Sequence, residues 1–149
     1  MTYAARRPWV PSRAQFVRWV GAAMLSAAAG ARASASTDVS IRVVGAARSR
    51  RLNARYRRKD QPTNVLSFAG AGVAPDCRRF LGELVICAPL MAREARAQRK
   101  SRQAHWAHIT VHGVLHLLGF AHEHAPEARK MARREVQILD RLGFSDPYC

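Results

Sequence analysis

Three histidines near the C-terminal end of the chain, His112, His116 and His122, constrain how this sequence can fold. Residues four apart on an α-helix share one face, with Cβ atoms about 5–6 Å apart, so His112 and His116 predict a helix that presents two imidazoles to one ion. A continued helix would carry His122 to a different face. Because Gly119 can adopt the left-handed conformation that ends helices, the spacing predicts a turn that returns His122 to the same ion.

The ligand set predicts the chemistry of this metal site. Three neutral imidazoles with a fourth position left to water are typical of catalytic zinc, whereas structural zinc commonly has four protein ligands rich in cysteine. The alternative is that these are ordinary core or surface histidines, which suits a lone histidine better than three at this spacing. His105 and His108 continue the same helical stripe. They could support the metal ligands, face RNA or be simple polar neighbours.

Length and charge limit the class of protein. A chain of 149 residues suits one domain, which we expect over residues 1–149, with a poorly ordered segment at 1–12. The 25 lysines and arginines against 10 acidic residues give a formal net charge of +15, which favours nucleic acid as a partner, although mutational bias also produces arginine-rich chains. Two basic runs are expected to contact mainly phosphates: Arg48, Arg50, Arg51, Arg55, Arg57, Arg58 and Lys59, then Arg93, Arg96, Arg99, Lys100 and Arg102.

The cysteines indicate the redox compartment. Cys77, Cys87 and Cys149 are odd in number and widely separated, which argues against both a disulfide framework and a thiolate zinc site. A reducing cytoplasm is the expected location. No apolar run reaches the ~18 residues needed to span a bilayer, so no membrane association is expected.

The N-terminal region has two interpretations. Arg6 and Arg7 precede an alanine-rich stretch that superficially resembles a secretory signal, but arginines interrupt the stretch. Its apolar residues recur at helical spacing, which favours an amphipathic helix that packs on the core. The predicted core-facing residues are Phe16, Val17, Val20, Met24 and Ala27.

The remaining elements predict an α+β fold in a single domain, with a small mixed β-sheet packed against about five helices. Strands are predicted at 40–44, 64–68 and 84–87, with a loop at 69–79 and a basic helix or loop at 46–59. Further helices are predicted from Pro89, over 105–118, and from Pro126 to Gly143.

Several separated motifs together resemble the YbeY family of bacterial endoribonucleases. In order along the chain they are Leu52-Asn53 with Tyr56-Arg57, the segment 62–68 (PTNVLSF), the segment 81–86 (LGELVI), the segment 112–122 (HGVLHLLGFAH) and Leu142-Gly143-Phe144. The match covers about residues 14–148. Several motifs in the same order are more specific than one short pattern.

The resemblance implies a zinc-dependent endoribonuclease that cleaves single-stranded RNA and binds one zinc ion per chain. It implies a role in maturing the 3′ end of 16S rRNA and in ribosome quality control, with ribosomal RNA and the small subunit as partners. The family's three metal-binding histidines fall on His112, His116 and His122, and its functionally important arginine falls on Arg57. The family's fold is related to that of zincin-like metallohydrolases.

The chain departs from the family pattern at several positions. Ala121 stands where a carboxylate is common, so a group that would orient a metal ligand is missing there. Glu83 replaces an aspartate, and Ala69-Gly70 replaces a pair such as phenylalanine-proline.

The general base of the reaction is left open by the sequence. Gly113 occupies the position that holds glutamate in HExxH metalloproteases, so the protease base is absent. Glu83, Glu123 and the RNA's own 2′-hydroxyl remain candidates. Two other functions also remain: a ribosome assembly factor with a structural metal, and a metallohydrolase that acts on another substrate.

Overall fold

The computed structural model describes residues 8–27, 37–73, 79–120 and 124–148, and these form five helices and three strands. The elements are α1 (Arg13–Ala27), β1 (Thr37–Val44), α2 (Ala46–Arg57), β2 (Val65–Val73), β3 (Arg79–Cys87), α3 (Ala88–Ala97), α4 (Arg102–Leu117) and α5 (Ala125–Arg141). The predicted α+β class with a small mixed sheet is confirmed.

Strand β3 lies in the middle of the sheet, whose order is β1-β3-β2. It pairs parallel with β1 and antiparallel with β2. The continuous apolar run at 84–87 predicted a buried strand, and Leu84 and Ile86 are indeed fully buried.

The two faces of the sheet are covered by different helices. Successive side chains of a strand point to opposite faces, so Leu84 and Val85 of β3 face opposite ways. Leu84 lies against Gly113 of α4, whereas Val85 belongs to a small cluster that includes Leu52 of α2. Helices α4 and α2 therefore occupy opposite faces of the sheet.

Helix α4 is the central element of the larger core. Its buried apolar side chains pack against α1, α3, α5 and the sheet. These side chains are Trp106, Ala107, Ile109, Val111, Val114 and Leu115. A helix enclosed by three helices and two strands has little freedom to shift, so the imidazoles it carries are held on a rigid support.

The predicted loop at 69–79 was wrong at 69–73, which belong to β2, and at Arg79, which begins β3, while residues 74–78 lie outside the described part of the chain. The glycines permit close strand approach: a Cβ on Gly70 would lie 2.2 Å from the carbonyl oxygen of Phe80. A register shift between Ala69 and Gly72 marks a bulge in this pairing. Gly70 therefore belongs to a tight strand pair, where a side chain would not fit, and not to a loop.

The predicted rotation of α1 was wrong at Val17, which is 62% exposed. Trp19 faces the core in its place, and its ring meets those of Phe16 and Phe144 edge-on. Burial of the large indole outweighs that of a valine and sets the rotation of the helix. Phe16, Val20 and Met24 pack against the core as predicted, and the side chain of Ala27 lies outside the described part.

Other boundaries differ from prediction by a few residues. Strand β1 begins at Thr37, α3 begins at Ala88, α4 begins at Arg102 and α5 begins at Ala125. Of the N-terminal segment 1–12, residues 1–7 lie outside the description, while Trp9 packs against the core beneath Arg102.

Candidate metal centre and basic surface

Helix α4 places His112 and His116 one turn apart on the same side. Ser101 caps the helix by accepting a hydrogen bond from the backbone N–H of Ala104 at 3.0 Å. The helix ends at Leu117, and Gly119 has a φ of +100°, the conformation expected for the turn. His122, the third predicted ligand, lies outside the described residues, as do Ala121 and Glu123.

Gly113 allows α4 to lie close to the sheet between the two histidines. A Cβ at this position would lie 2.8 Å from Cδ2 of Leu84, which is fully buried. The glutamate of an HExxH motif would fit here only if Leu84 or the helix shifted. The missing protease base therefore has a steric reason in this fold.

A buried carboxylate, that of Glu135 in α5, contacts His112. One oxygen, Oε1, lies within hydrogen-bond distance of Nδ1 of His112. The other, Oε2, accepts a hydrogen bond from the hydroxyl of Tyr148 and lies 3.3 Å from Nε2 of His108. Glu135 has no exposed surface, so these contacts replace the water that it lost on folding.

Sequence reasoning missed Glu135, although a signal was present. The core-facing stripe of α5 runs through Met131, Glu135, Ile138 and Leu139 at helical spacing. A glutamate in such a stripe is seldom fully buried without partners. Its position could therefore have identified it as a paired or functional carboxylate.

The environment of Glu135 keeps it ionised. Burial by itself raises the pKa of this carboxyl, but hydrogen bonds from His108, His112 and Tyr148 outweigh burial and lower the pKa to about 2. Burial of the phenol and its hydrogen bond to Glu135 raise the pKa of Tyr148. A charged acceptor next to His112 favours a proton on Nδ1 of that ring.

His108 belongs to the same network. Its Nδ1 lies 3.4 Å from Nζ of Lys100, which can only donate, so the proton of the neutral ring is placed on Nε2. That Nε2 then donates to Glu135. Burial lowers the pKa of His108 and outweighs the hydrogen bond and negative charge of Glu135, which raise it, so the neutral ring is favoured.

His105 has a separate partner. It is buried, and its Nε2 lies 2.9 Å from Oε1 of Glu94 on α3. Glu94 also accepts a hydrogen bond from Nδ2 of Asn64, just before β2. This contact ties α3, α4 and the start of β2 together, so His105 fits the interpretation as a polar neighbour rather than an RNA-facing group.

Arg57 is exposed in the last turn of α2. The helix is fixed to the segment before β2 by Ser49, which donates to the carbonyl of Thr63 at 2.8 Å, and by Asn53, which donates to that of Gln61 at 2.8 Å. Arg57 lies on the opposite side of the sheet from α4. Within the described chain, β2 is one of the two edge strands of this sheet. The described contacts do not bring Arg57 and the two histidines together.

Tyr56 belongs to one of the family motifs, but its place in the first basic run gives it a further significance. It stands between two arginines of the basic run and is 55% exposed. Its ring meets Phe68 of β2 edge-on, with centroids 5.0 Å apart, and the guanidinium of Arg55 lies 5.4 Å from its centroid. An exposed aromatic within a run of cations was the available signal.

The first basic run is largely open to solvent. Within the described chain, Arg50 is its only member in an ion pair, with Nε 2.8 Å from Oδ1 of the exposed Asp60. Its other cations are exposed: Arg48, Arg51, Arg55, Arg57, Arg58 and Lys59. This surface matches the expectation of a cationic patch that can contact phosphates.

The second basic run is partly engaged inside the protein. Lys100 contacts His108, and the guanidinium of Arg102 lies 4.9 Å from the ring centroid of Trp9. Arg93, Arg96 and Arg99 remain exposed. The run therefore offers fewer free cations than its sequence indicates.

Glu83 is placed away from the predicted metal site. It alternates with Leu84, so its side chain points to the sheet face opposite α4. There it accepts a hydrogen bond from Ser40 at 3.2 Å and pairs with Arg42 at 3.2 Å. This position argues against Glu83 as the general base.

Across the described ranges, no group of three or more histidine, cysteine or acidic side chains is arranged to hold a metal ion. His122 is outside those ranges. The described helices also include none that is long and apolar enough to cross a membrane.

Comparisons with known proteins agree with the resemblance in the motifs. Residues 6–143 match the family model for endoribonuclease YbeY. The chain is 51% identical over 147 residues to endoribonuclease YbeY of Alkalilimnicola ehrlichii, covering 97% of this chain and 86% of that protein. It is 47% identical over 150 residues to that of Nitrosococcus oceani, covering 98% and 93% of the two chains.

The fold has a solved counterpart. A solution structure of a Thermotoga maritima protein superposes with a TM-score of 0.55 at 19% identity, covering 90% of this chain and 88% of that one. This similarity supports the fold alone. The family model and the close relatives show that the chain belongs to the endoribonuclease YbeY family.

Proposed function

We propose that this protein is a zinc-dependent endoribonuclease that cleaves single-stranded RNA, with one zinc ion held by His112, His116 and His122. The observation that carries the proposal is family membership over nearly the whole chain. The net charge of +15 and the open basic surface of α2 support an RNA substrate.

Two of the three proposed ligands, His112 and His116, belong to the described residues and would hold the ion from one helix. His112 and His116 share one side of a rigid helix and both are partly exposed. Nδ1 of His112 is engaged by Glu135, so this ring would hold a metal through Nε2. When bound, zinc polarises a phosphate oxygen or lowers the pKa of a bound water.

Arg57 is proposed to bind the phosphate as negative charge accumulates in the transition state. The planar guanidinium can donate to two phosphate oxygens at once, which a lysine cannot. Its exposed position at the end of an anchored helix supports this role, because the side chain can reach substrate while its backbone stays fixed.

The proton acceptor is proposed to be either Glu123 or the RNA itself, since the carboxylate of Glu83 is already engaged by Ser40 and Arg42. The product ends distinguish the two. A 2′,3′-cyclic phosphate indicates attack by the 2′-hydroxyl, whereas a 5′-phosphate indicates attack by water.

The proposed biological role is maturation of the 3′ end of 16S rRNA and ribosome quality control in the cytoplasm, with the small ribosomal subunit as partner. The support is the motif resemblance together with the relatives named endoribonuclease YbeY.

Metal analysis of purified protein combined with an RNA cleavage assay tests the proposal. His116→Ala is expected to lose both zinc and cleavage. His124→Ala is the matched control, because His124 is exposed and makes no side-chain capping bond to α5. Ribosome binding without cleavage would instead indicate an assembly factor with a structural metal. Cleavage of another substrate but not RNA would indicate a different metallohydrolase.

A further inference from the structure

We propose that Glu135 is a positioning residue that holds His112 with its proton on Nδ1, so that Nε2 is presented as the ligand atom. The proposal deepens the proposed function and rests on it in one respect, namely that His112 binds metal. Nothing in the motif resemblance drew attention to this glutamate, which lies in a different helix from the three histidines.

The contacts around Glu135 favour one arrangement of protons, in which Nε2 of His108 lies 3.3 Å from both Oε2 of Glu135 and the hydroxyl of Tyr148. A carboxylate accepts hydrogen bonds and does not donate them. Lys100 donates to Nδ1 of His108, so Nε2 of His108 carries the proton that faces Oε2 of Glu135. The hydroxyl of Tyr148 donates to the same oxygen. Oε1 is thereby left for His112, whose Nδ1 must carry the proton.

A second glutamate–histidine pair on the same helix shows why the choice of ring nitrogen matters. Glu94 engages Nε2 of His105, the atom at the far end of the ring, and the side chain of His105 is only 2% exposed. Glu135 engages Nδ1 of His112, and that side chain is 27% exposed. The first geometry suits a core contact, whereas the second directs the far nitrogen of the ring away from Glu135.

Metal-binding histidines commonly donate their other ring N–H to a carboxylate, which fixes the tautomer and the ring orientation. The family resemblance implies a carboxylate next to the third histidine, where this chain has Ala121. Glu135 is a buried carboxylate that contacts His112 with one oxygen, while its other oxygen is held by Tyr148 and His108.

The test compares two glutamates that each accept from a histidine of α4. Glu135→Gln, Glu135→Leu and Tyr148→Phe are the test variants, and Glu94→Gln is the matched control. Two properties are measured: the tautomer of His112 in the metal-free protein, by ¹⁵N NMR of the imidazole, and the Zn²⁺ dissociation constant, by competition with a chromophoric chelator.

We expect the wild-type ring of His112 to carry its proton on Nδ1. Glu135→Leu should populate the other tautomer and weaken Zn²⁺ binding by about 10–100-fold. Glu135→Gln should weaken it less, because the amide oxygen can still accept from Nδ1. Tyr148→Phe should fall between wild type and Glu135→Leu, whereas Glu94→Gln should match wild type.

A proton on Nε2 of His112 in the wild-type protein would overturn the inference. So would Zn²⁺ binding by the Glu135 variants that equals that of Glu94→Gln. If Glu135→Leu does not fold, the wild-type tautomer and the two milder variants decide. Failure of the proposed function is a separate result, in which wild-type protein binds Zn²⁺ through a His112 with its proton on Nδ1 and does not cleave RNA.

Discussion

Gly113 of α4 lies directly against Leu84 of β3, so close that an added Cβ would be 2.8 Å from Cδ2 and 3.0 Å from Cδ1 of the leucine. The contact sets how closely the histidine-bearing helix approaches the sheet. It also couples the geometry of the candidate metal centre to the packing of the central strand.

Gly113→Ala should therefore destabilise the protein. Alanine is favoured over glycine in a helix by about 1 kcal/mol, but overpacking a buried contact costs about 1–3 kcal/mol, and Leu84 is itself fully buried. We expect a net loss of about 1 kcal/mol in the free energy of unfolding, measured by urea denaturation. Gly21→Ala in α1 is the control, since nothing lies within 4 Å of a Cβ there, and it should stabilise. Equal stabilisation by both substitutions would refute the steric argument.

Gly82 of β3 should tolerate a side chain even less well. Its φ is +151°, and a Cβ would lie 2.3 Å from the carbonyl oxygen of Phe68 on the paired strand. Backbone cannot move aside as a side-chain tip can, so Gly82→Ala should reduce the free energy of unfolding by about 2–4 kcal/mol. Urea denaturation measures the loss. A change below about 0.5 kcal/mol, which is usual at unconstrained surface positions, would show that the strands are not this close.

The pairing of Glu94 with His105 predicts a specific acid sensitivity. Hydrogen bonding from His105 lowers the pKa of Glu94, and this outweighs the opposing effect of burial. Because the folded-state pKa lies below the unfolded value of about 4.5, the contribution to stability is present above that pH and is lost as pH falls through the folded-state pKa. Glu94→Gln should flatten this part of the profile of unfolding free energy against pH.

Asp60→Asn is the comparison for that experiment. Asp60 also has a lowered pKa, caused by its hydrogen bond and charge attraction with Arg50, but both groups are fully exposed. Salt should suppress the effect of Asp60→Asn, whereas the effect of Glu94→Gln should persist at 0.5 M NaCl because its partner His105 is buried. Identical salt responses would contradict the assigned environments.

Substitution of Arg57 should affect catalysis and not folding. Arg57→Ala should reduce kcat for RNA cleavage by about 10²–10³-fold, and Arg57→Lys should recover only part of the loss because it lacks the planar fork. Arg48→Ala, another exposed arginine of α2, should leave kcat close to wild type. Single-turnover cleavage and thermal denaturation on the same samples separate the two effects. Comparable losses of kcat in Arg48→Ala and Arg57→Ala would show that only total charge matters.

RNA affinity should fall steeply with ionic strength, because cationic side chains release counterions from the phosphates that they neutralise. For a single strand, each neutralised phosphate contributes about −0.7 to the slope of log K against log salt concentration. Arg51→Ala in the exposed run should make the slope less steep by about that amount. Arg141→Ala, at the end of α5 and outside both basic runs, should leave it unchanged. A flat response in the wild-type protein would exclude a phosphate-binding role.

Local sequence signals succeeded where neighbouring residues in the chain determine structure. Gly119 predicted the turn after α4, and the Leu84–Cys87 run predicted the buried central strand. Gly70 misled the prediction because the reason for a glycine there is a backbone contact with Phe80, which is distant in sequence. Val17 misled it because the rotation of α1 depends on the partners of Trp19.

The sequence by itself determined the spacing of the histidines, the family, the α+β class and the excess of positive charge, because each is a property of local order or composition. Only the tertiary structure decided that Glu135 from α5 meets His112, that His105 pairs with Glu94, and that Glu83 faces away from α4. These relationships depend on how helices and strands pack across long sequence separations. The identity of a buried polar side chain does not specify which residue, distant in the sequence, will form its hydrogen bonds.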